Sequence, residues 1–238
     1  MFQSRSFSWK NPQEKTLVLT YDDGPGQTPG DDDSPGPRTR ELAQYLNSMG
    51  IRATFFVIGI HAESHLDILK DLCELGHLIA NHTYSHPATP PPRWESEEAD
   101  HFCEIKRTHD IVKPYVKGKL FFRAPGDDPW PKKKPGLLDQ LNADPELKWY
   151  IGPISWNIDP ADYELWESRS PDKVEDAVKR IRNKIIIEKK SGIVLLHDCS
   201  TKYELKMREG NQALAVAKLL IPELLDAGYR FKRLDEVM

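Results

Sequence analysis

The sequence predicts an α/β protein built on a parallel sheet, and two observations support this class. Seven short runs of apolar and β-branched residues alternate with six longer segments of helical period, which is typical of parallel strands joined by crossover helices. The length of 238 residues suits one domain, 1–238, because a single barrel or doubly wound sheet commonly uses this many residues. We therefore expect one α/β barrel or open α/β sheet, without a linker or an internal repeat.

The strands are predicted where four to six apolar or β-branched residues run together between segments of helical period. In chain order the predicted strands are 16–21, 53–58, 77–80, 119–122, 154–157, 192–196 and 228–232.

The helices are predicted between these strands, where apolar residues recur at helical spacing. Ser170 is the expected N-cap of one helix, with Pro171 at its first helical position. Glycine ends four of the helical segments, at Gly50, Gly76, Gly192 and Gly228. The predicted helices are 39–49, 64–75, 95–112, 135–142, 171–190 and 211–227.

Charge and hydropathy exclude two broad classes of protein. The 33 Lys+Arg and 37 Asp+Glu residues give a net charge of −4 and a pI of about 6.1, so there is no excess of positive charge for nucleic acid. The longest apolar stretch, 53–60, is much shorter than the roughly 20 residues that span a bilayer. We expect neither nucleic-acid binding nor a membrane span, and no obligate protein partner is inferred.

The N-terminus and the cysteines bear on the cellular compartment. Residues 1–15 lack the basic and then apolar pattern of a secretory signal, so the chain is either cytoplasmic or a mature form already trimmed. Cys73, Cys103 and Cys199 are odd in number, widely spaced and without a CxxC pair. This pattern argues against a disulfide framework and a thiolate zinc site, and we expect three unpaired thiols.

Polar residues that could take part in catalysis or metal binding follow the C-terminal ends of the predicted strands. The C-terminal ends of parallel strands meet at one edge, where α/β proteins build their sites, whereas chance would scatter such residues over both ends. A single aspartate after a strand is usually a turn or cap residue, but eight side chains at one edge indicate a site. The eight are Asp22, Asp23, His82, His86, Arg123, Asp159, Asp162 and His197.

Two histidines and one carboxylate in this set are the candidate metal ligands. His82 and His86 are four residues apart, so a tight loop or one helical turn would direct both imidazoles to one point. Asp23 adds a carboxylate, and two histidines with one carboxylate leave positions open for water and substrate. We expect one divalent ion, with zinc as the first choice and cobalt, nickel or iron as alternatives.

The remaining members of the set supply a base and an acid. Asp22 is the candidate base, with the positive charge of Arg123 beside it. His197 comes from a different strand and is the candidate acid. Either Asp162 or Asp159 is expected to fix its tautomer and raise its pKa. A base, an ion and an acid together indicate metal-assisted hydrolysis of an amide or ester.

Five segments carry a resemblance to a known family. In chain order they are Thr20-Tyr21-Asp22-Asp23-Gly24-Pro25, His82-Thr83-Tyr84-Ser85-His86, Arg123-Ala124-Pro125-Gly126, Asp159-Pro160-Ala161-Asp162-Tyr163 and Leu195-Leu196-His197-Asp198. This order is similar to that of the five motifs of NodB-type polysaccharide deacetylases, carbohydrate esterase family 4. The likeness extends over nearly the whole chain, from residue 16 to the strand at 229–231.

The resemblance implies a distorted (β/α)7 TIM-like barrel, the NodB homology fold, that removes acetyl groups from N-acetylated sugars with a divalent metal. By analogy Asp22 would be the base paired with Arg123, and His197 the acid tuned by Asp162. The metal ligands would be Asp23, His82 and His86. Leu195 would line the pocket for the acetyl methyl group, and the backbone amide of Gly126 would help to hold the oxyanion.

The departures from the family pattern concern the substrate. The family commonly has an aromatic residue in place of Gly126 and a tryptophan in place of Tyr163, and its turn after the first motif is usually shorter than 26–37. The 19 prolines crowd into three loops that should form the rim of the site. Trp130 lies in one such loop, where it would either stack on a sugar or anchor the loop locally.

We therefore expect an N-deacetylase acting on N-acetylhexosamine in chitin-like or peptidoglycan-like chains, or on a small aminosugar or glycoconjugate. One alternative keeps the fold and changes the bond that is cleaved, to an O-acetyl ester or to a non-sugar amide such as a cyclic imide. Another is a glycan-binding protein without turnover, although the complete set of candidate ligands, base and acid argues against it.

Overall fold

The structure is a computed structural model that describes residues 15–26, 38–87, 100–126, 136–163, 172–188, 190–199 and 211–238. The strands within these ranges are all parallel to their neighbours. They are β1 Thr16–Asp22, β2 Thr54–Val57, β3 Leu78–Asn81, β4 Leu120–Phe121, β5 Tyr150–Ile151, β6 Gly192–His197 and β7 Arg230–Phe231.

The strands close into a distorted ring. The main sheet has the order β3-β2-β1-β6, with β7 beside the first residues of β1, and β4 pairs with β5. A bridge between Asn81 and Phe122 connects β3 to β4, and a second between Ile158 and Val194 reaches β6. Between β5 and β6 the ring is therefore completed by irregular backbone.

The fifth strand was predicted at 154–157, and this position is wrong. Strand β5 lies earlier, at Tyr150–Ile151, and residues 152–158 are extended but irregular. Ile154 N donates to Phe122 O on one side, and Asn157 N donates to Ile193 O on the other. Residues 152–158 therefore make isolated hydrogen bonds to the neighbouring backbone and no regular ladder, because Pro153 has no N–H to donate.

The helices cover the outer face of the strands. They are α1 Arg38–Ser48, α2 Gly59–Ser64, α3 Leu66–Glu74, α4 His101–Val112, α5 Leu137–Ala143, α6 Asp172–Arg182 and α7 Gln212–Asp226. The predicted helix 64–75 begins earlier and is two helices, because the backbone at His65 leaves the helical region. The predicted helix 171–190 ends at Arg182 and continues as one π-helical turn, Asn183–Ile187.

Two apolar layers determine which strand residues face the site. Leu17, Leu19 and Tyr21 of β1 belong to the layer between strands and helices, whereas Val18 belongs to the cluster that fills the barrel interior. Because side chains alternate along a strand, Thr20 and Asp22 face the same side as Val18. The polar end of this interior is the place of the candidate site.

Two further observations on the described residues concern membrane spans and cysteines. No helix within them is long and apolar enough to cross a membrane. Cys73, Cys103 and Cys199 all lie in the described ranges, and no disulfide joins any two of them.

Candidate active site

The end of β1 brings two adjacent carboxylates to the mouth of the barrel. Asp22 is the last residue of β1 and lies in register with His197 at the end of β6. Asp23 follows with a φ of 74°, a left-handed conformation that is uncommon for a residue other than glycine. This change of backbone direction gives the two neighbouring carboxylates different surroundings.

Asp23, His82 and His86 form a compact cluster. Asp23 Oδ1 lies 3.4 Å from His82 Nε2 and 3.3 Å from His86 Nε2, and the three ligand atoms lie within 4.8 Å of one another. Asp23 Oδ1 is buried and accepts no hydrogen bond from the described residues. A buried carboxylate oxygen that faces two imidazole nitrogens is the donor set of a divalent metal site.

His82 is held in the orientation that a ligand needs. Its Nδ1 lies 2.9 Å from the carbonyl oxygen of Arg123, to which it can only donate. The proton is thereby placed on Nδ1, and the lone pair of Nε2 faces Asp23. The same loop that carries Arg123 therefore orients a candidate metal ligand.

Asp22 is paired with Arg123 in the barrel interior. Arg123 Nη1 lies 2.6 Å from Asp22 Oδ1, and both side chains are buried. Arg123 also donates to Thr20 Oγ1 and to the carbonyl of Ile154, and its guanidinium lies 4.1 Å from the centre of the Phe56 ring. These contacts fix the guanidinium, while the other oxygen of Asp22 lies 3.7 Å from His82 Nε2.

His197 lies across the mouth and is paired with Asp162. Asp162 Oδ1 is 2.8 Å from His197 Nδ1, and Asp162 Oδ2 accepts the His197 backbone N–H. Burial alone would lower the pKa of His197, but the charge and hydrogen bond of Asp162, with the charges of Asp23 and Asp22, raise it to about 10. The imidazole is thus held protonated at neutral pH.

Of the two carboxylates expected beside His197, Asp162 is the one in contact. Asp159 instead accepts the Ala161 backbone N–H at 2.8 Å, and its carbonyl accepts from Lys184. Ala161 has a φ of 53°, so the Asp159 carboxylate stabilises the tight turn that delivers Asp162.

The predicted substrate residues have different surroundings. Leu195 is buried and is two residues before His197 on β6, so it faces the same side. Tyr163 is half exposed, and its ring is perpendicular to that of His197 at 5.9 Å between centres. Gly126 is exposed in a left-handed conformation, with open space where a Cβ would lie. Trp130 lies outside the described residues, as do most of the proline-rich loops.

The sequence patterns assign no role to several residues whose hydrogen bonds hold the loop after β1 in place. His61 at the start of α2 has its Nδ1 3.0 Å from the carbonyl oxygen of Asp23. Asp198 accepts from Thr39 Oγ1, which itself accepts the Gly26 N–H, and this network fixes the loop after β1. Burial raises the pKa of Asp198 to about 7. Such contacts join residues distant in sequence, so no local pattern signals them.

A second group of histidine and acids lies elsewhere in the described residues. His109, Asp110 and Glu146 offer ligand atoms close to one another. Lys106 Nζ lies 2.6 Å from Asp110, and Lys113 Nζ lies 3.3 Å from Glu146. Because two ammonium groups already neutralise these acids, the cluster is an ion-pair network between α4 and Glu146.

An α/β barrel with a His, His and carboxylate cluster between a buried Asp–Arg pair and a His–Asp pair has the arrangement of a metal-assisted hydrolase. The chain belongs to the polysaccharide deacetylase family, whose model matches residues 10–141. This match confirms the resemblance found in the sequence.

Relatives and a solved structure agree with this assignment. The chain is 28% identical to a peptidoglycan-N-acetylglucosamine deacetylase of Bacillus cereus, over 97% of this chain and 92% of the relative. It is 27% identical to a chitooligosaccharide deacetylase of Rhizobium leguminosarum bv. trifolii, over 97% and 95%. The crystal structure of the Bc1960 peptidoglycan N-acetylglucosamine deacetylase matches with a TM-score of 0.67 and 23% identity, over 96% of this chain and 90% of that one. The predicted distorted barrel is thereby confirmed.

Proposed function

We propose that this protein is a metal-dependent hydrolase that removes N-acetyl groups from N-acetylhexosamine units of chitin-like or peptidoglycan-like glycans, with residues 1–238 as one catalytic domain. The observation that carries the proposal is the Asp23–His82–His86 cluster between Asp22–Arg123 and His197–Asp162. The names of the two curated relatives support an amide-bound acetyl group on a sugar as the target.

The proposed cofactor is one zinc ion held by Asp23, His82 and His86. Nitrogen and carboxylate donors suit zinc, and cobalt, nickel or iron could occupy the same ligands in vitro. A divalent ion at this place acts as a Lewis acid on the acetyl carbonyl and makes the attacking water more acidic.

Asp22 and His197 handle the two protons of the reaction. Asp22 Oδ1 is engaged by Arg123, so Oδ2 is the oxygen that accepts a proton from the attacking water. The water oxygen bonds to the acetyl carbon, and the C–N bond breaks. His197, with Nδ1 held by Asp162, gives its Nε2 proton to the leaving nitrogen, and the products are acetate and a free amine.

The other predicted site residues have proposed roles in substrate binding. Leu195 contacts the acetyl methyl group from the barrel interior, and Tyr163 contacts the sugar beside His197. The Gly126 amide donates to the oxyanion.

Replacing Asp162 by asparagine tests the role of His197. The change removes a negative charge that raises the pKa of His197, so we expect the alkaline limb of the rate profile to move to lower pH by roughly one unit or more. The pH dependence of kcat measures this shift. Asp159→Asn is the matched control and should leave the limb in place, since Asp159 does not contact His197 and the asparagine oxygen can still accept the Ala161 N–H.

The same pair also links stability to pH. The pKa of His197 is about 10 in the folded protein and 6.5 ordinarily, so the pairing stabilises fully below pH 6.5 and this contribution is lost as pH rises towards 10. Asp162→Asn should lose the stabilisation below pH 6.5 and show a flatter Tm between those values. An unchanged profile of both rate and Tm would contradict the assignment.

Acetate release from a panel of substrates tests the proposed reaction. We expect equal amounts of acetate and free amine from chitin oligomers or peptidoglycan, with a chelator stopping the release. Monomeric N-acetylglucosamine separates a small aminosugar from a polymer. Activity confined to acetylated xylan or cyclic imides would identify a different bond, and no turnover of any of these compounds would overturn the hydrolase proposal.

A further inference from the structure

The loop that carries His86 has an unfavourable backbone. Thr83 and His86 both have positive φ values, 70° and 50°. A non-glycine residue in this region is sterically strained, so the surroundings must hold the loop in place.

The two histidine ligands differ in how they are fixed. His82 is held by its own ring, through the bond from Nδ1 to the Arg123 carbonyl. His86 Nδ1 is buried and has no hydrogen-bond partner among the described residues. The orientation of His86 therefore depends on the backbone of its loop.

One carboxylate from α4 accepts three hydrogen bonds from that loop, two from its backbone and one from a side chain. Glu104 Oε2 accepts the backbone N–H groups of Tyr84 and Ser85 at 2.9 and 2.7 Å, and Oε1 accepts the Ser85 hydroxyl at 2.8 Å. Ser85 directly precedes His86. The carbonyl oxygens of Thr83 and Tyr84 also accept from Gly59 N and Ile60 N, whereas Ser85, the residue next to His86, is bound by Glu104.

We propose that Glu104 is a positioning residue that sets the place of His86 and thereby the metal affinity of the site. This inference rests on the proposed metal site, and Glu104 itself contacts neither metal nor substrate. Its three hydrogen bonds keep the loop in the conformation in which Thr83 and His86 have positive φ values. His86 Nε2 therefore stays 3.3 Å from Asp23 Oδ1. Outer partners of metal ligands commonly change affinity by about 10–100-fold.

The test measures the zinc dissociation constant by chelator competition, and the visible absorption spectrum of the cobalt-loaded protein. Glu104→Ala should weaken zinc binding about 10–100-fold and change the cobalt spectrum, because the ligand geometry is disturbed. Asp110→Ala is the matched control on the same helix, since Asp110 pairs with Lys106 and Lys113. It should leave both readouts unchanged.

Two further substitutions separate acceptor geometry from charge and from folding. Glu104→Gln keeps an oxygen for both N–H groups and offers an amide N–H to the Ser85 hydroxyl, so it should retain most of the affinity. Glu104→Asp keeps the charge but shortens the side chain by one methylene, so it should bind zinc more weakly than Glu104→Gln.

The outcomes are distinguishable from a failure of the proposed function. Zinc affinity and cobalt spectrum unchanged in Glu104→Ala would overturn the inference, whether or not acetate is released. The reverse order, with Glu104→Asp like the wild type and Glu104→Gln impaired, would show that charge matters and would also overturn it. If Glu104→Ala does not fold, the Gln and Asp variants decide alone. A wild-type protein that binds no metal would overturn the proposed metal site and this inference with it.

Discussion

Asp22→Asn is expected to lower the rate of acetate release about 10²–10⁴-fold while the protein still binds its metal. The amide has nearly the same shape as the carboxylate but cannot accept a proton from water. The candidate ligands Asp23, His82 and His86 are unchanged, so the metal content should stay near that of the wild type. Steady-state acetate release and metal content of the same preparation measure both effects.

This substitution also has a cost in stability. Asp22 is the buried partner of Arg123, and burial by itself lowers the pKa of that guanidinium, which the carboxylate counteracts. Removing one member of a buried ion pair costs about 3–5 kcal/mol, because the other charge stays buried without compensation. The free energy of unfolding in denaturant should fall accordingly, and rates should be measured well below the new midpoint.

The metal content and the rate of Asp22→Asn together can contradict the proposed roles. Asp22→Asn that loses its metal would place Asp22 among the ligands. Asp22→Asn that is folded and turns over at nearly the wild-type rate would show that Asp22 is not the base. Either result would overturn the division of roles between the adjacent aspartates.

His82→Ala is expected to abolish both metal binding and acetate release. His82 is buried and supplies one of the three ligand atoms, and the methyl group of alanine cannot replace it. The affinity loss should exceed the roughly 100-fold that removal of an outer partner costs. Metal content after dialysis and acetate release at high zinc concentration measure the two effects.

His109→Ala is the matched control, because His109 is the buried histidine of the other cluster of histidine and acids. We expect this variant to keep its metal. Metal lost from His109→Ala and kept by His82→Ala would place the metal at the cluster of His109, Asp110 and Glu146 and contradict the account.

The edge of the sheet where the site lies could be predicted from the sequence because parallel strands end together. Asp22 and His197 lie in register on adjacent strands, and His82 follows β3 directly. The local pattern of strand and polar residue therefore carried enough information to bring the base, the acid and the ligands together. The catalytic and ligand roles of these residues stay predictions.

Other features depend on contacts between distant residues, which a sequence pattern does not contain. The position of β5 follows from its pairing with β4, Leu120 with Tyr150 and Phe121 with Ile151. Ile154 and Asn157 make only single hydrogen bonds to Phe122 and Ile193, so the apolar run at 154–157 was misleading. The choice between Asp159 and Asp162 follows from the turn at Ala161. In the sequence Glu104 resembles any charged residue on a helix, and only the structure shows its hydrogen bonds to the Tyr84 and Ser85 backbone and to the Ser85 hydroxyl.

An anomalous difference map from crystals grown with zinc tests the central claim most directly. The claim is that Asp23, His82 and His86 hold a divalent ion between the base Asp22 and the acid His197. We predict one strong peak in contact with Asp23 Oδ1 and with Nε2 of both histidines. Peaks only beside His109, Asp110 and Glu146, or no peak at all, would contradict it.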